Sequence, residues 1–236
     1  MDFTRVFQDG LPKLFEGAKL TIGIAILAIL AGLVIGFVSC LMGLSKNRVL
    51  KGISAVYVWI ILGTPMIVQA FFVFFAVPQL LNMIPGARVT LTPFVAGLIT
   101  LSLNAGAYLS EVFRGGIQAV PVGQTEAARS LGLSSFKTMM KVVLPQAFKI
   151  SLPSMVNQFI ITVKYTSILS VFCLDEIVNH AKQFVGSTWR FFETYILVAV
   201  FYLVIVSALM VLSNYIEKRM SYERKGESNR PRKAFR

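Results

Sequence analysis

The run from Leu20 to Leu44 contains no Asp, Glu, Lys or Arg. About 20 apolar residues in a helix cross the hydrocarbon core of a bilayer. This stretch therefore reads as a transmembrane helix and commits the chain to lipid. Similar spans are read over about 53–81, 91–113, 150–174 and 194–212. In hydrocarbon every backbone N–H and C=O must be paired within the segment, which leaves an α-helix for each. Composition agrees: 56% of residues are hydrophobic, 14% are charged and the mean hydropathy is +0.71, outside the range of ordinary water-soluble domains. The expected architecture is an all-α polytopic membrane protein with about five spans.

A formal charge of +12 raises nucleic acid as a partner, but the distribution of the 23 basic residues points elsewhere. Segments 45–52, 114–149 and 215–236 hold 3, 5 and 8 of them. Segments 1–19, 82–90 and 175–193 hold 3, 1 and 2, and Lys164 alone lies inside a span. Basic residues gather in cytoplasmic loops. The first set is therefore placed inside and the second outside, with the N-terminus outside and the C-terminus in the cytoplasm. The basic tail 215–236 is expected to touch anionic membrane lipid, and no nucleic acid is expected as a partner. Residues 1–19 mix both signs and read as an outer amphipathic lead-in, with no secretory signal. Cys40 and Cys173 fall at opposite faces, so no disulfide is expected between them. No metal-site spacing occurs, and His180 stands in the outer segment. The chain has no G-x-x-x-x-G-K-[ST] loop and no Ser/His/Asp or Cys/His set at a common depth. No cofactor and no catalytic residue are expected on it, and ATP binding is not expected.

The spans carry polar residues that lipid does not tolerate. Gln69 follows Thr64-Pro65 by one turn, and proline there should kink or break the second span. Thr64 and Gln69 then either approach a water-filled path or bond to a packing neighbour. Asn104, Tyr108 and Glu111 share a face of the third span. Glu111 has a local partner in Arg114, while Asn104 and Tyr108 sit deeper. Asn157, Lys164 and Ser167 share a face of the fourth span, with Pro153 near its start. Lys164 lies about 13 residues in, on the order of 20 Å of rise. A charge at such depth costs at least ~2.5 kcal/mol, so it marks either a path or a buried structural pair. Gly32 and Gly36 have the GxxxG spacing of close helix contacts, a spacing also frequent in ordinary apolar helices.

Segment 114–149 contains Glu126-Ala127-Ala128-Arg129-Ser130-Leu131-Gly132, which reads as a short helix with a small-residue face. Gly132 is suited to the positive φ that ends a helix, and Leu131 and Phe136 are apolar anchors. By its residues alone it is either a loop helix packed on its own protein or a patch that docks into a partner.

Glu126-Ala127-Ala128 followed by Gly132 and Leu144-Pro145 resembles the cytoplasmic coupling loop of ABC importer permeases. Gly63-Thr64-Pro65-Met66-Ile67-Val68-Gln69, Ser102-Leu103-Asn104-Ala105-Gly106-Ala107-Tyr108, Phe113-Arg114-Gly115-Gly116-Ile117-Gln118 and Lys164-Tyr165-Thr166-Ser167-Ile168-Leu169-Ser170 resemble further signatures of the polar amino-acid, histidine/glutamine-type branch. The resemblance runs from about Gly17 to about Tyr215. It implies the type I importer permease fold and a subunit of a bacterial cell membrane transporter that pairs with a second permease. Two ATPase subunits, carrying ATP and Mg, would grip Glu126, Ala127, Ala128, Leu131 and Gly132. A solute-binding protein would meet the outer side, including 175–193. An amino acid is the implied substrate. Lys164 would hold its carboxylate, with Thr64, Gln69, Asn104, Tyr108, Asn157 and Ser167 along the path. The span interiors offer no clear acid for a cationic side chain, which favours neutral or acidic amino acids. The family pattern at Lys164 is usually Lys-Asp-Thr-Ser, and Tyr165 replaces that aspartate here. A gradient-driven transporter and a non-transporting scaffold are the alternatives, but the chain shows no repeated halves and few interior acids.

Overall fold

The computed structural model describes residues 3–228, and the elements among them are helical. Helix α1 is the run Phe3–Leu44, α2 is Arg48–Gly63, α3 is Met66–Leu81 and α4 is Pro93–Gln118. Helix α5 is Val122–Ser130, α6 the run Ser135–Phe172, α7 Ile177–Thr188 and α8 Phe191–Ser228. Helices α1, α4, α6 and the Phe191–Tyr215 part of α8 are each long and apolar enough to cross a bilayer, and the bent pair α2–α3 supplies one more candidate span. Exposed apolar side chains such as Val34, Trp59, Leu203 and Val211 suit a lipid surround.

Helix starts follow local chemistry. Asn47 caps α2 through Val49 N–H at 2.9 Å, and Thr92 caps α4 through Val95 N–H at 3.3 Å, with Pro93 at the first helical position. Ser134 caps α6 through Lys137 N–H at 3.3 Å.

The centre of the fold is α1 against α4. A Cβ on Gly32 would stand 2.8 Å from Ala105 Cβ, and one on Gly36 would stand 2.8 Å from Gly106 O and Leu109 Cβ. The GxxxG spacing is thus a real contact, with backbones closer than any side chain allows. Below it, Ser39 and Ser54 hydroxyls lie 2.9 Å apart, and Ser110 Oγ lies 3.1 Å from Ser39 Oγ, tying α1, α2 and α4 together. Leu101, Ile24, Ala28, Leu169 and Phe172 form the apolar core one level up.

Several boundaries differ from the sequence expectation. Residues 3–19 do not form a separate surface lead-in; they continue helically into the first span, through a π-type stretch Val6–Gly10. Their apolar side finds a partner in α7 and α8: Val6, Leu14, Ile177, Phe184 and Phe201 form one core. Segment 175–193, expected on the outer side, is not simply a loop, because α7 fills most of it. Segment 114–149, expected on the inner side, is mostly helix, and α6 begins at Ser135, so Pro153 lies inside a helix rather than near its start. The basic tail 215–236 enters only as the end of α8, and residues 229–236 lie outside the described residues.

Candidate functional site

The break in the second span is sharper than a kink: α2 and α3 meet at 110°. Pro65 has no N–H to continue the ladder, and Thr64 is forced extended (φ −120°, ψ 145°), as expected of a residue before proline. The carbonyls freed at the end of α2 need donors. Gln69 supplies them, its Nε2 lying 2.6 Å from Ile61 O and 3.0 Å from both Thr64 O and Thr64 Oγ1. Thr64 Oγ1 donates to Ile60 O at 2.8 Å, and Asn104 Nδ2 of α4 donates to Gln69 Oε1 at 3.1 Å. Thr64, Gln69 and Asn104 are therefore one network that holds a broken helix against α4. Gln69 and Asn104 are buried, and Asn104 Oδ1 is left with no hydrogen-bond partner.

Tyr108 is one turn along α4 from Asn104 but is 37% exposed. On α6, Asn157 and Lys164 are exposed. The Lys164 ammonium has no ion-pair partner among the described residues. Ser167 is half-buried, and its Oγ donates to Lys164 O at 2.6 Å. Tyr108 and Lys164 lie on α4 and α6, which pack against each other. The expected residues thus separate into a bracing set (the buried Gln69 and Asn104 with the exposed Thr64) and an open polar face (Tyr108, Asn157, Lys164). Glu111 and Arg114 form the local ion pair their spacing suggested.

Two contributors escaped sequence reading. Tyr57 Oη donates to Leu103 O at 2.7 Å, pinning α2 to α4; a tyrosine inside an apolar run carries no positional signal. Glu176 looked like one more outer-loop charge, yet it is 0% exposed. It caps α7, with Oε1 2.8 Å from Asn179 N, and only its place before an apolar helix hinted at that.

In segment 114–149, α5 ends as anticipated. Gly132 has φ +81°, Leu133 N bonds Ala128 O at 3.2 Å and Gly132 N bonds Arg129 O at 3.0 Å. This is a Schellman stop, which needs a left-handed residue at that position. Ala128 is buried, whereas Glu126 and Ala127 are exposed and Leu131 and Phe136 are 84% and 74% exposed. The helix packs on its own chain by one alanine, while its other face and the two apolar anchors just beyond its end are exposed.

Comparison with known proteins gives these features a common setting. The pattern of the family described as "Binding-protein-dependent transport system inner membrane component" matches residues 28–222. The glutamine transport system permease protein of Escherichia coli strain K12 is 35% identical over 210 residues, covering 89% of this chain and 94% of that one. The L-cystine transport system permease protein of Bacillus subtilis strain 168 is 36% identical over 216 residues, covering 91% and 89%. The crystal structure of an amino acid ABC transporter with histidines superposes with a TM-score of 0.86 at 33% identity, over 93% of this chain and 99% of that one. An inward-facing methionine ABC transporter shares the fold, with a TM-score of 0.72 at 19% identity over 88% and 96%. With the broken second span, the exposed α5 and the polar face all on the fold these relatives share, the chain belongs to the binding-protein-dependent transport system inner membrane components and is a permease subunit of an ABC importer, not itself an ATPase.

Proposed function

We propose that the chain forms half of a translocation path for a neutral or acidic amino acid, with Lys164 holding the substrate carboxylate. The observation that carries the reading is Lys164 itself: a cation exposed on α6, within a candidate span, on the same side as Asn157. Such a face does not sit against hydrocarbon. A second permease subunit covers it and encloses the path. Tyr108, Asn157 and Ser167 are neutral contacts there. Thr64, Gln69 and Asn104 stand behind, shaping the wall rather than offering free donors. Relatives named for glutamine and L-cystine support an amino-acid cargo.

In the same proposal two ATPase subunits dock beneath the permease pair, one on the α5 of each permease subunit, engaging Glu126, Ala127, Leu131 and Gly132 around the buried Ala128. A solute-binding protein delivers cargo to the side of α7. The N-terminus lies outside and the C-terminus in the cytoplasm of a bacterial cell, as the basic segments suggest. The test is uptake by the transporter purified from its native membrane and reconstituted with its co-purifying ATPase. Lys164→Ala should raise KM for a neutral amino acid about tenfold or more, the scale of one lost charge-assisted contact. Unchanged KM and rate would remove Lys164 from the path.

A further inference from the structure

Glu176 is a fully buried carboxylate that the path does not use. It stands where four elements meet. Its Oε1 accepts from Asn179 N at the start of α7, and Tyr202 Oη of α8 lies 3.3 Å from its Oε2. The 3-10 turns Thr166–Phe172 that end α6 begin two positions from Lys164, and the Thr166 hydroxyl donates to Val163 O at 2.8 Å. From α1, Thr21 Oγ1 accepts from Ile177 N at 3.3 Å, and Gly17 leaves no room for a Cβ, which would lie 2.7 Å from Ile177 N. Lys182 of α7 donates to Ser170 O at 3.0 Å. The chain enters this joint through Cys173, which is exposed and held left-handed at φ 61°.

We propose that Glu176 is a positioning residue that clamps the start of α7 to Tyr202 of α8, and with it the outer end of α6 that Lys182 holds at Ser170 O, and that the clamp loosens when its carboxyl takes up a proton. As a carboxylate, Glu176 only accepts, so it receives both the Asn179 N–H and the Tyr202 O–H. Once protonated, one oxygen becomes a donor, and the contact that receives the Tyr202 O–H weakens. The 3-10 turns Thr166–Phe172, which carry Ser167 and follow Lys164, are then held differently. The proposal rests on Lys164 being a substrate contact.

The groups around the carboxyl set a close balance. Burial pushes Glu176 up to about 7, against the α7 N–H donors, Tyr202 and the charge of Lys182, which favour the ionised form. Lys182 and Tyr202 are the titratable groups that face it. Helix α1 brings Gly17 and Thr21 to the joint, and α6 brings Thr166 and Ser170, none of which titrates. Asp175 turns away to Asn179 Nδ2 and Gln183 Nε2. A balance near neutrality places the switch within the range an outer medium reaches.

The test uses the intact transporter in proteoliposomes. Cys173 is labelled with a membrane-impermeant maleimide and quantified by peptide mass spectrometry, which separates it from the buried Cys40. The rate for the native chain is divided by that for Glu176→Gln at the same pH, so the thiol's own ionisation cancels. The ratio should fall at least about threefold between about pH 6 and about pH 8, as the ionised fraction of Glu176 rises from about a tenth to about nine tenths. Tyr202→Phe should abolish that fall, because it cuts the link and keeps the charge. A flat native ratio overturns the proposal; so does a fall that persists in Tyr202→Phe, which would be a charge effect on the thiol. Uptake KM of the native transporter should follow outer pH over the same interval and that of Glu176→Gln should not. A KM independent of pH in both overturns the link to Lys164. Failure of the native transporter to take up any amino acid would count against the amino-acid path, and the labelling would still decide the clamp.

Discussion

Gly36 offers the sharpest test of how the bundle is held. A Cβ there would stand 2.8 Å from Gly106 O, 2.8 Å from Leu109 Cβ and 3.0 Å from Ser110 N. Non-bonded carbon contacts sit at about 3.5–4.0 Å, so Gly36→Ala must push α1 from α4 by several tenths of an ångström. Two of those three atoms are backbone, so no rotamer change relieves them. Overpacking of this kind costs about 1–3 kcal/mol, and the Ser39–Ser54–Ser110 hydroxyls next to it move out of register. Alanine recovers up to about 1 kcal/mol of intrinsic helix propensity. Gly23→Ala is the internal control: it gains the same propensity, and a Cβ there meets nothing within 4 Å. The two variants should therefore differ by about 2 kcal/mol, a factor of about 30 in the folding equilibrium. The assay is reversible unfolding in mixed detergent micelles, followed by tryptophan fluorescence, with both variants and the parent measured together. Gly36→Ala as stable as Gly23→Ala would refute the argument that backbone proximity at this crossing holds α1 to α4.

Three further outcomes are expected. Gly132→Ala should leave folding in detergent nearly intact, since a Cβ there meets nothing within 4 Å, but φ +81° costs a non-glycine residue about 1–2 kcal/mol; the end of α5 should change and ATPase co-purification should drop, and retained binding would count against the coupling role. Gln69→Leu strands Ile61 O, Thr64 O and Asn104 Nδ2 near the helix break, and should destabilise the fold by about 1–3 kcal/mol, read by the unfolding midpoint, whereas Thr64→Val, which removes one hydroxyl, should cost less. For Glu176 the folded value of about 7 exceeds the ordinary 4.5, so the folded chain binds the extra proton. Its contribution to stability is fully present below about pH 4.5, is lost as pH rises to about 7 and stays lost above, a total of about 3 kcal/mol. Glu176→Gln should flatten that slope in unfolding midpoints measured across pH, and an unaltered slope would mean that another group carries it.

Much of this was readable from residue order because bilayer physics acts on local sequence. An uncharged run such as Leu20–Leu44 has one way to satisfy its backbone in hydrocarbon, Pro65 has no N–H wherever it sits, and Gly132 is the residue that ends α5 left-handed without strain. The spaced signatures identified the permease family for the same reason: they are strings of neighbours. Charge pairing three residues apart was equally local, as Glu111 and Arg114 show.

What depended on distant parts of the chain meeting was decided only by the tertiary structure. Gly32-Gly36 has the same spacing whether it packs or not, and Ala105 and Gly106 settle that it does. Gln69 looked like a path residue or a packing residue until the carbonyls it caps and Asn104 were seen around it. Glu176 reads as an ordinary outer charge, because its burial comes from Tyr202, Thr21 and Gly17, which lie on other helices. Residue order located the apolar spans and the family to which the chain belongs, since those follow from solvent and short-range geometry. Which polar groups are sealed inside and which remain open to a substrate was decided by packing, because burial and pairing are properties of the neighbours a residue acquires when the chain folds.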